Sequence, residues 1–506
     1  MVGMLRFRPQ DAILEPCGGG GAFVDKILEK NPNSSIDVFE LNPASVSILR
    51  QKYVNKRNVF IKETDTLLDE TIISCSKRYD KIIGNPPYGA RCDNSKKTKL
   101  SRIYNHLYTK ESYTLFIYAC TRCLNENGEL CFIVPDTFLS LHRHLALRQY
   151  LLNNTKIKEI ALFPSSFFPG INFGYANLCI ITLVKCSNIA ENHGNIIRLR
   201  TDFRHVSELG RLDCGKTTSK VQKEVLTAMD SAFMFRSTNE LSNLINDETI
   251  TRIGDIASCV TGFYSGNDKK YLHPINHLIK NSKNYNCVKD ECIKYGRLTI
   301  QEQVNGIASQ QCFVPIMKGG NIEFCKPTVW FMDWSLQAIK EYRTSKKCRF
   351  QNASFYFKDG IGIPMIRSSK LTAAMIEGRL FDQSIVGVFP HDPSWTMYLL
   401  AFFNSDICTK LIDAINPSAN NSANYIKKIP FIVPSRGIRA KVESLVKMII
   451  FSLQHGISNI TSYKEEINNI FSCLYLNEND FANKAIGRKQ PKVRQLNIFD
   501  SNALTR

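Results

Sequence analysis

The first 185 residues alternate between short apolar runs and stretches with a helical spacing of apolar positions. The short runs predict strands, at residues 12–14, 35–39, 59–62 and 80–83, the last of them buried. The helical spacing predicts helices, at residues 24–30, 115–124 and 137–152. Further strands are predicted at residues 129–134, 157–162 and 178–184, the last two as a hairpin. This alternation is typical of an α/β fold with a doubly wound sheet.

A glycine-rich turn follows the first predicted strand and opens the first helix. Its sequence is Glu15-Pro16-Cys17-Gly18-Gly19-Gly20-Gly21-Ala22-Phe23. Glycines let a ligand approach the backbone closely, and the N-terminus of a helix favours a carboxylate or a phosphate. In doubly wound sheets, ligands bind at the carboxyl ends of the strands. The turn is therefore a candidate nucleotide site, although a glycine run alone is weak evidence for one.

Two acidic residues stand at the ends of the next two strands. Glu40 ends the second strand about 20 residues after the glycines, where doubly wound folds bind ribose hydroxyls. Asp65 lies just past the third strand. It is suited to accept a hydrogen bond from an adenine amine, and equally suited to cap the helix that follows.

The fourth strand leads into Asn85-Pro86-Pro87-Tyr88. Two prolines stiffen the turn and remove two N–H donors, which leaves the Asn85 side-chain oxygen and the Pro86 carbonyl as acceptors. Such a rim can hold a planar amine while the ring of Tyr88 covers the attached heterocycle. An Asn-Pro sequence is ordinarily just a turn. Its position after a strand, downstream of the glycine turn, favours a receptacle for a nucleobase amino group.

An aromatic cluster occupies a proline-glycine loop at residues 163–170, between the last two strands. Loops normally expose polar residues, so the cluster is either a hydrophobic plug or a platform on which an unpaired base stacks.

A basic segment at residues 89–113 follows the Asn-Pro-Pro-Tyr turn and contains Lys96, Lys97, Lys99, Arg102 and Lys110. Such a segment suits phosphate contacts, but basic runs are also typical of ordinary solvated surface.

Composition indicates a class of partner, because the 506 residues carry a formal net charge of +19. A strongly basic chain favours a polyanion, most simply nucleic acid. The 17 cysteines are scattered, which predicts reduced cytoplasmic thiols, and Cys120 and Cys123 lack a second ligand pair for zinc. No apolar run is long enough to span a bilayer, so no membrane association is expected. No metal site is predicted.

Taken together, these motifs resemble the gamma-class adenine amino-methyltransferases, and among them the TaqI-like enzymes of restriction–modification systems. Residues 14–23 look like the family's cofactor motif and Glu40 like its ribose-binding acid. Asp65 looks like the acid that binds the cofactor adenine, and Asn85-Pro86-Pro87-Tyr88 looks like the catalytic motif. The ordered resemblance covers about residues 11–185.

The resemblance implies a class I S-adenosylmethionine-dependent methyltransferase fold, Rossmann-like, with a mostly parallel seven-stranded sheet. It implies methyl transfer to adenine N6 of double-stranded DNA, with the target base rotated out of the duplex. The implied catalytic residues are Asn85, Pro86, Pro87, Tyr88 and Phe168, the last as second stacking aromatic, with Phe163 and Phe173 as alternatives. The implied cofactor-binding residues are Glu15, Pro16, Cys17, Gly18, Gly21, Phe23, Glu40, Asp65, Asn85 and Pro87.

The expected domains are a methyltransferase catalytic domain at residues 1–190 and a linker or subdomain edge at 191–245. A mixed α/β domain at residues 246–484 resembles, more loosely, the target-recognition domain of the same subgroup, and residues 485–506 form a basic tail. Basic residues interleaved with aromatic ones suit a surface that grips phosphates and reads base edges. The Gly215-Lys216-Thr217 sequence lacks the glycine spacing of a phosphate loop.

One departure from the family is the short stretch before residue 14, where the family carries a segment that closes over the methionine end of the cofactor. We expect either weak cofactor binding or an earlier start of the chain. No fused endonuclease is expected, a separate cognate endonuclease is a candidate partner, and the chain is expected to be a monomer. Two alternatives stay open: a methyltransferase acting on RNA or a protein glutamine, and a non-catalytic DNA-binding module.

Overall fold

The computed structural model describes most of the chain in two compact units. The described residues are 1–89, 93–168, 177–211, 214–234, 238–320, 323–367, 369–416, 420–457 and 459–476. The first unit is Met1–Phe235 and the second is Arg236–Arg506. The predicted basic tail and Phe173 lie outside the described residues.

A single large sheet organises the described part of the first unit. Its strands are β1 (Ala12–Glu15), β2 (Ser35–Glu40), β3 (Val59–Glu63), β4 (Tyr79–Gly84), β5 (Leu124–Pro135), β6 (Thr155–Pro164), β7 (Asn177–Lys185), β8 (Ile196–Thr201) and β9 (Lys216–Val221). They lie in the order β3-β2-β1-β4-β5-β7-β6-β8-β9. Strands β1 to β5 run parallel to one another, and β7 is antiparallel to both β5 and β6. The predicted hairpin is therefore confirmed.

The sheet has nine strands in the described residues, rather than the seven that the resemblance implied. The two additional strands, β8 and β9, come from the segment that was expected to be a linker or subdomain edge. Strand β8 pairs in parallel with β6, and β9 pairs antiparallel with β8. The seven-strand count was too low because it left out the two strands that extend the edge of the sheet. Strand β9 carries mainly polar residues, whereas β8 is half apolar and buries Ile197 and Leu199.

Helices cover both faces of this sheet. They are α1 (Ala22–Lys30), α2 (Pro43–Lys52), α3 (Glu70–Ser74), α4 (Asn94–Ile103), α5 (Ser112–Arg122), α6 (Leu145–Asn154), α7 (Ile189–Gly194) and α8 (Gln222–Thr227). Neighbouring residues of one strand point to opposite faces, and they belong to different hydrophobic clusters. Ile82 packs in one cluster and Ile83 in the other. A parallel sheet with helices on both faces explains why the runs of β1, β2 and β4 are short and mainly apolar.

The helix predicted at residues 137–152 is wrong in its first half. That half forms two single 3₁₀ turns, Asp136–Leu139 and His142–His144, and α6 begins only at Leu145. The buried guanidinium of Arg148 donates to the carbonyl oxygens of Phe138 and Leu141, at 2.7 and 2.8 Å. A side chain thus satisfies carbonyls that a continuous helix would pair internally, which stabilises the turns instead.

The second unit is mixed α/β. Its strands are β10 (Ala257–Thr261), β11 (Leu272–Pro274), β12 (Phe313–Met317), β13 (Trp330–Asp333), β14 (Ile361–Pro364), β15 (Ala374–Met375), β16 (Leu380–Phe381) and β17 (Ile385–Pro390). They form two four-stranded sheets in the described residues, in the orders β10-β17-β14-β15 and β11-β13-β12-β16. Trp334 lies fully buried in an aromatic core with Phe263 and Tyr356.

Ten helices of the second unit lie in its described residues. They are α9 (Asn239–Asn246), α10 (Ile253–Ile256), α11 (Asp268–Tyr271), α12 (Ile300–Asn305), α13 (Leu336–Thr344), α14 (Thr396–Phe403), α15 (Asp406–Ile415), α16 (Ala423–Ile426), α17 (Arg436–Gln454) and α18 (Thr461–Leu476). Across all the residues described in both units, no helix combines the length and apolar character needed to cross a lipid bilayer.

Candidate functional site

The candidate site lies at the carboxyl ends of the parallel strands. Strand β1 ends at Glu15, β2 at Glu40 and β4 at Gly84, directly before Asn85. These strands are neighbours, because Ile13 and Leu14 of β1 pair with β4 on one side and β1 pairs with β2 on the other. The sheet therefore brings the predicted cofactor residues and the predicted catalytic turn together at the carboxyl ends of its parallel strands, as doubly wound folds do.

The glycine turn is folded so tightly that two of its glycines cannot be replaced without a clash. A Cβ on Gly18 would lie 2.5 Å from Val38 Cγ1, and one on Gly21 would lie 2.4 Å from Tyr53 Oη. Gly21 also has a φ of 79°, in the left-handed region that favours glycine. By contrast, the space around a Cβ on Gly20 is open within 4 Å. The turn thus packs against the sheet and presents its open side outward.

Glu40 connects the glycine turn to the start of α2. Its Oε2 accepts a hydrogen bond from the Gly19 amide at 2.8 Å, and its Oε1 accepts one from the Asn42 amide at 2.7 Å. An ionised carboxylate has about four lone-pair sites. Glu40 can therefore hold both loops and still accept hydrogen bonds from a ligand with vicinal hydroxyls.

Glu15 is a buried carboxyl at the end of β1, only 1% exposed. Burial raises its pKa well above the ordinary value, although a hydrogen bond from the Val24 backbone opposes that rise. Its Oε2 has no hydrogen-bond partner among the described residues. An unpaired buried polar atom costs about 1–3 kcal/mol. A polar ligand group that reached this oxygen would remove that cost, which fits a binding role.

Asp65 acts as a cap in this structure. Its side chain accepts from the Leu67 amide at 3.3 Å and so begins the turn Thr66–Leu68. The same carboxylate forms an ion pair with Lys96 of α4, with 2.5 Å between Nζ and Oδ2. Both side chains are mostly buried. A ligand amine that bound Asp65 would therefore have to compete with Lys96.

The remaining predicted residues of the cofactor motif pack around the carboxyl end of β1. The Pro16 carbonyl accepts a hydrogen bond from the Thr66 hydroxyl at 2.6 Å, which ties β1 to the turn after β3. Burial raises the pKa of Cys17 well above the ordinary value, so its thiol is neutral. Phe23 is half-buried against the hydrophobic cluster under α1. Among the described residues, no three His, Cys, Asp or Glu side chains group as a metal site.

The turn after β4 is held in place from both sides. A Cβ on Gly84 would lie 3.2 Å from Pro16 Cδ, so β4 approaches the glycine turn closely at this point. The Pro87 carbonyl accepts a hydrogen bond from the Ser112 hydroxyl at 2.5 Å, which ties the turn to the start of α5. Asn85 and Pro87 are exposed, whereas Pro86 is buried. Asn85 thus stands at the surface on a fixed backbone.

The Asn85 oxygen already accepts a hydrogen bond within the site. Tyr88 Oη lies 2.7 Å from Asn85 Oδ1 and 3.3 Å from the Ile133 carbonyl. Burial raises the pKa of Tyr88, so the hydroxyl keeps the proton that it donates. The sequence predicted an acceptor rim with an aromatic ring beside it. The structure places both side chains together and adds the bond between them, which a ligand would have to replace.

The aromatic loop contributes one accessible candidate among its described residues. Phe168 is half-buried and packs on the same hydrophobic cluster as Tyr88. Its ring centroid lies 6.3 Å from that of Phe163. Phe163 itself is only 1% exposed and stacks on Phe167, so its ring is not available to a ligand in this conformation. Phe173, the third candidate, lies outside the described residues.

Sequence reasoning missed three side chains that shape the site: Thr66, Lys96 and Ser112. Lys96 belongs to the basic segment that was noted, but its pairing with Asp65 depends on where α4 packs. Thr66 and Ser112 each hold a backbone carbonyl of a predicted site residue. Of these three contacts, only that of Thr66 had a local signal in the sequence, because its hydroxyl directly follows Asp65.

Known proteins with similar sequences are restriction–modification methylases. Residues 23–168 match the family model described as Eco57I restriction-modification methylase. Type II methyltransferase M.HindII of Haemophilus influenzae is 25% identical over 310 residues, covering 57% of this chain and 56% of that protein. Modification methylase CviBIII of Paramecium bursaria Chlorella virus NC1A is 34% identical over 131 residues, covering 26% and 32%. The matched stretches span less than two thirds of these relatives.

A solved structure shares the fold over nearly the whole chain. The Type IIL restriction-modification enzyme MmeI, in complex with DNA, matches with a TM-score of 0.53 and 12% identity. The match covers 96% of this chain and 71% of MmeI. The segment that matches the family model contains Glu40, Asp65, Asn85, Tyr88 and Phe168, whereas the glycine turn precedes it.

Proposed function

We propose that this chain is a DNA methyltransferase that moves a methyl group from S-adenosylmethionine to N6 of an adenine rotated out of duplex DNA. The observation that carries the proposal is the turn Asn85-Pro86-Pro87-Tyr88, which exposes Asn85 at the end of β4, beside the glycine turn. Similarity to proteins named Type II methyltransferases supports the same reaction class. The rim can accept both hydrogens of an exocyclic amine, and adenine as the base that carries it rests on the resemblance of this motif to that of the gamma-class adenine amino-methyltransferases.

The residues at the ends of β1 to β3 suit an adenosine-bearing cofactor. Glu40 would accept the ribose hydroxyls, and the glycine turn would let the cofactor lie against the backbone. The unpaired Oε2 of Glu15 would take up a polar hydrogen. Asp65 would accept from the adenine amine once Lys96 moves aside. When bound, the cofactor supplies an electrophilic methyl group on a sulfonium centre.

Asn85 and the Pro86 carbonyl would position the target amine. When these two acceptors bind both N–H groups of the amine, its nitrogen lone pair points away from the rim and towards the proposed cofactor site. This is catalysis by orientation and by fixed dipoles, with no acid or base required from the chain before transfer. The incoming amine would replace the Tyr88 hydroxyl on Asn85 Oδ1. The freed tyrosine ring could then stack on one face of the base, with Phe168 as the second aromatic.

DNA as the acceptor is supported by charge. The net charge of +19 favours a polyanion, and Lys97, Lys99 and Arg102 lie exposed on α4, in the chain segment that follows the catalytic turn. We assign the second unit, with the residues of the predicted domain at 246–484, to target recognition. A separate endonuclease and a monomeric state belong to the same proposal.

The experiment is methyl transfer from radiolabelled S-adenosylmethionine to three acceptors in parallel: unmethylated duplex DNA, RNA of the same sequence, and protein lysate. Label on DNA alone supports the proposal. Label on RNA or on protein would favour the alternative in which the rim holds another planar amine or amide. Cofactor binding without transfer to any acceptor would indicate a DNA-binding module. Asn85→Ala should abolish transfer, while Asn33→Ala, an exposed asparagine in the turn before β2, should not.

A further inference from the structure

A cavity of the first unit lies at the amino ends of the parallel strands, opposite the candidate site. It has a volume of about 530 Å³ and is lined by residues that include Cys75, Arg78, Arg122 and Lys185. Arg78 directly precedes β4, whose other end leads to Asn85. A strand of six residues is about 20 Å long, so this cavity is separate from the proposed methyl-transfer site.

Two thiols meet at the wall of this cavity. The Sγ atoms of Cys75 and Cys123 lie 3.5 Å apart. Cys75 follows the last residue of α3 and is half-buried, so its sulfur is accessible from the cavity. Cys123 follows α5 and is 0% exposed. One thiol of the pair is therefore open to a small reagent, and the other is reachable only through the first.

The surroundings of Cys75 favour its thiolate. The hydrogen bond from Cys123 lowers the pKa of Cys75, and the positive charges of Arg122, Arg78 and Lys185 lower it further, against the effect of burial. The acidic group of the cavity, Glu126, accepts hydrogen bonds from the Ser187 amide and hydroxyl.

The aromatic groups facing the cavity hold two of these cations in place. Arg122 lies over the ring of Tyr118 at 5.7 Å, and Lys185 over the ring of Tyr150 at 5.6 Å. Burial raises the pKa of Tyr150, and burial likewise raises the pKa of the neighbouring thiol Cys120, so both stay neutral. Cationic, partly exposed environments of this kind are where reactive cysteines occur.

We propose that Cys75 and Cys123 form an oxidative modification site that reacts with hydrogen peroxide and closes to a disulfide. The Cys75 thiolate attacks one peroxide oxygen, an S–O bond forms, the O–O bond breaks, and the leaving oxygen departs as water after taking a proton. The Cys123 sulfur then attacks the Cys75 sulfenic acid. An S–S bond forms, the S–O bond breaks, and the hydroxide leaves as water with the Cys123 proton. Two thiols lose two electrons and one peroxide gains them.

The test is peptide mass spectrometry of the full chain after treatment with hydrogen peroxide, with alkylation of the remaining thiols. The expected product is a peptide pair linked through Cys75 and Cys123 that dithiothreitol separates again. In Cys123→Ser the link should be lost and the sulfenic acid of Cys75 should be trapped by dimedone. In Cys75→Ser, Cys123 should stay reduced. Other disulfides, or none, with Cys75 unmodified would overturn the proposal.

A measurement on the unaltered chain guards against variants that fail to fold. The pH dependence of iodoacetamide labelling is followed for Cys75 and for Cys473, an exposed cysteine of α18. Labelling of an ordinary thiol has its midpoint near pH ~8.5. Because the thiolate is the nucleophile, the Cys75 midpoint should lie at least about one pH unit lower. Equal midpoints for the two cysteines would contradict the proposed reactivity.

Discussion

The hydroxyl of Tyr88 donates a hydrogen bond to the side-chain oxygen of Asn85 over 2.7 Å. The residue proposed to stack on the target base therefore also occupies the acceptor proposed to hold its amine. Entry of the base must exchange one hydrogen bond for another, and it must turn the tyrosine ring to a new position. The turn itself does not need to move, because prolines and the Ser112 contact hold its backbone.

Replacing Tyr88 separates the two roles of its side chain. Tyr88→Phe keeps the ring and removes the competing hydroxyl, so the ratio kcat/KM for methyl transfer should stay equal or rise by up to about tenfold, the worth of one hydrogen bond. Tyr88→Ala removes the stacking surface, which is worth about 1–3 kcal/mol per base, and kcat/KM should fall about ten- to hundredfold. Steady-state kinetics on duplex DNA measures both. An equal loss in the two variants would argue against stacking.

Glu40 should govern affinity for the cofactor rather than for DNA. Glu40→Ala removes the acceptor proposed for the ribose hydroxyls and also releases the amides of Gly19 and Asn42. We expect S-adenosylmethionine binding to weaken at least about tenfold in calorimetry, since hydrogen bonds to a charged group are worth about 1.5–3 kcal/mol. Glu63→Ala, an exposed acid that pairs with Glu40 across β2 and β3, is the control and should bind normally. Similar losses in both would remove the ribose assignment.

The glycine turn makes a prediction about stability. Gly18→Ala places a methyl group 2.5 Å from Val38 Cγ1 in a buried position, and overpacking of this kind costs about 1–3 kcal/mol in the free energy of unfolding. Gly20→Ala meets no atom within 4 Å and should be neutral. Urea denaturation followed by circular dichroism compares the two. If both variants lost stability alike, the tight packing of Gly18 on β2 would be incorrect.

An ion network between strands of the sheet, centred on the buried Glu129, predicts acid sensitivity. Glu129 on β5 pairs with Lys81 at 2.9 Å and also with Lys158, and hydrogen bonds from these lysines lower its pKa even though burial opposes them. A carboxyl whose pKa is lower in the folded state stabilises the fold above its unfolded pKa of about 4.3, and this contribution is lost as the pH falls through the folded pKa. Stability should therefore decrease on acidification below about pH 5.

The substitution Glu129→Gln removes the ion pairs and, with them, the dependence of stability on pH that they cause. At neutral pH the free energy of unfolding should fall by about 2–3 kcal/mol, less than for a fully buried pair because the Lys158 side chain is 40% exposed. The loss of stability between about pH 5 and the acid transition should become shallower. Glu191→Gln, which breaks an exposed pair with Lys156, is the control and should change little. An unchanged acid profile in Glu129→Gln would contradict the role of the network.

The parallel core of the sheet was predictable because each of its strands contains a short, mainly apolar run that is followed by a polar or glycine-rich turn. Strand β9 was not, because Lys216–Val221 carries no buried apolar face and forms only by pairing at the sheet edge. The same distinction applies to the site. The predicted strand ends placed Glu40 and Asn85 at the same end of the sheet, because that placement depends on backbone topology alone.

Pairings between side chains depend on packing that no local pattern encodes. Asp65 was open to two interpretations, and the structure shows the cap together with an ion pair to Lys96. The hydrogen bond between Tyr88 and Asn85 likewise depends on the rotamers of two neighbouring side chains, which the spacing of residues does not fix. These side-chain contacts determine how a ligand enters the site. The position of the site itself follows from the motif alone.

The central claim is that Asn85 holds the amino group of an adenine for methylation, and the chemical identity of the product tests it most directly. Duplex DNA is incubated with the chain and S-adenosylmethionine, digested to nucleosides and analysed by mass spectrometry. We predict N6-methyladenine as the methylated nucleoside, with its yield reduced at least about a thousandfold in Asn85→Ala and unchanged in Asn33→Ala. A methylated cytosine, or N6-methyladenine formed at full rate by Asn85→Ala, would contradict the account.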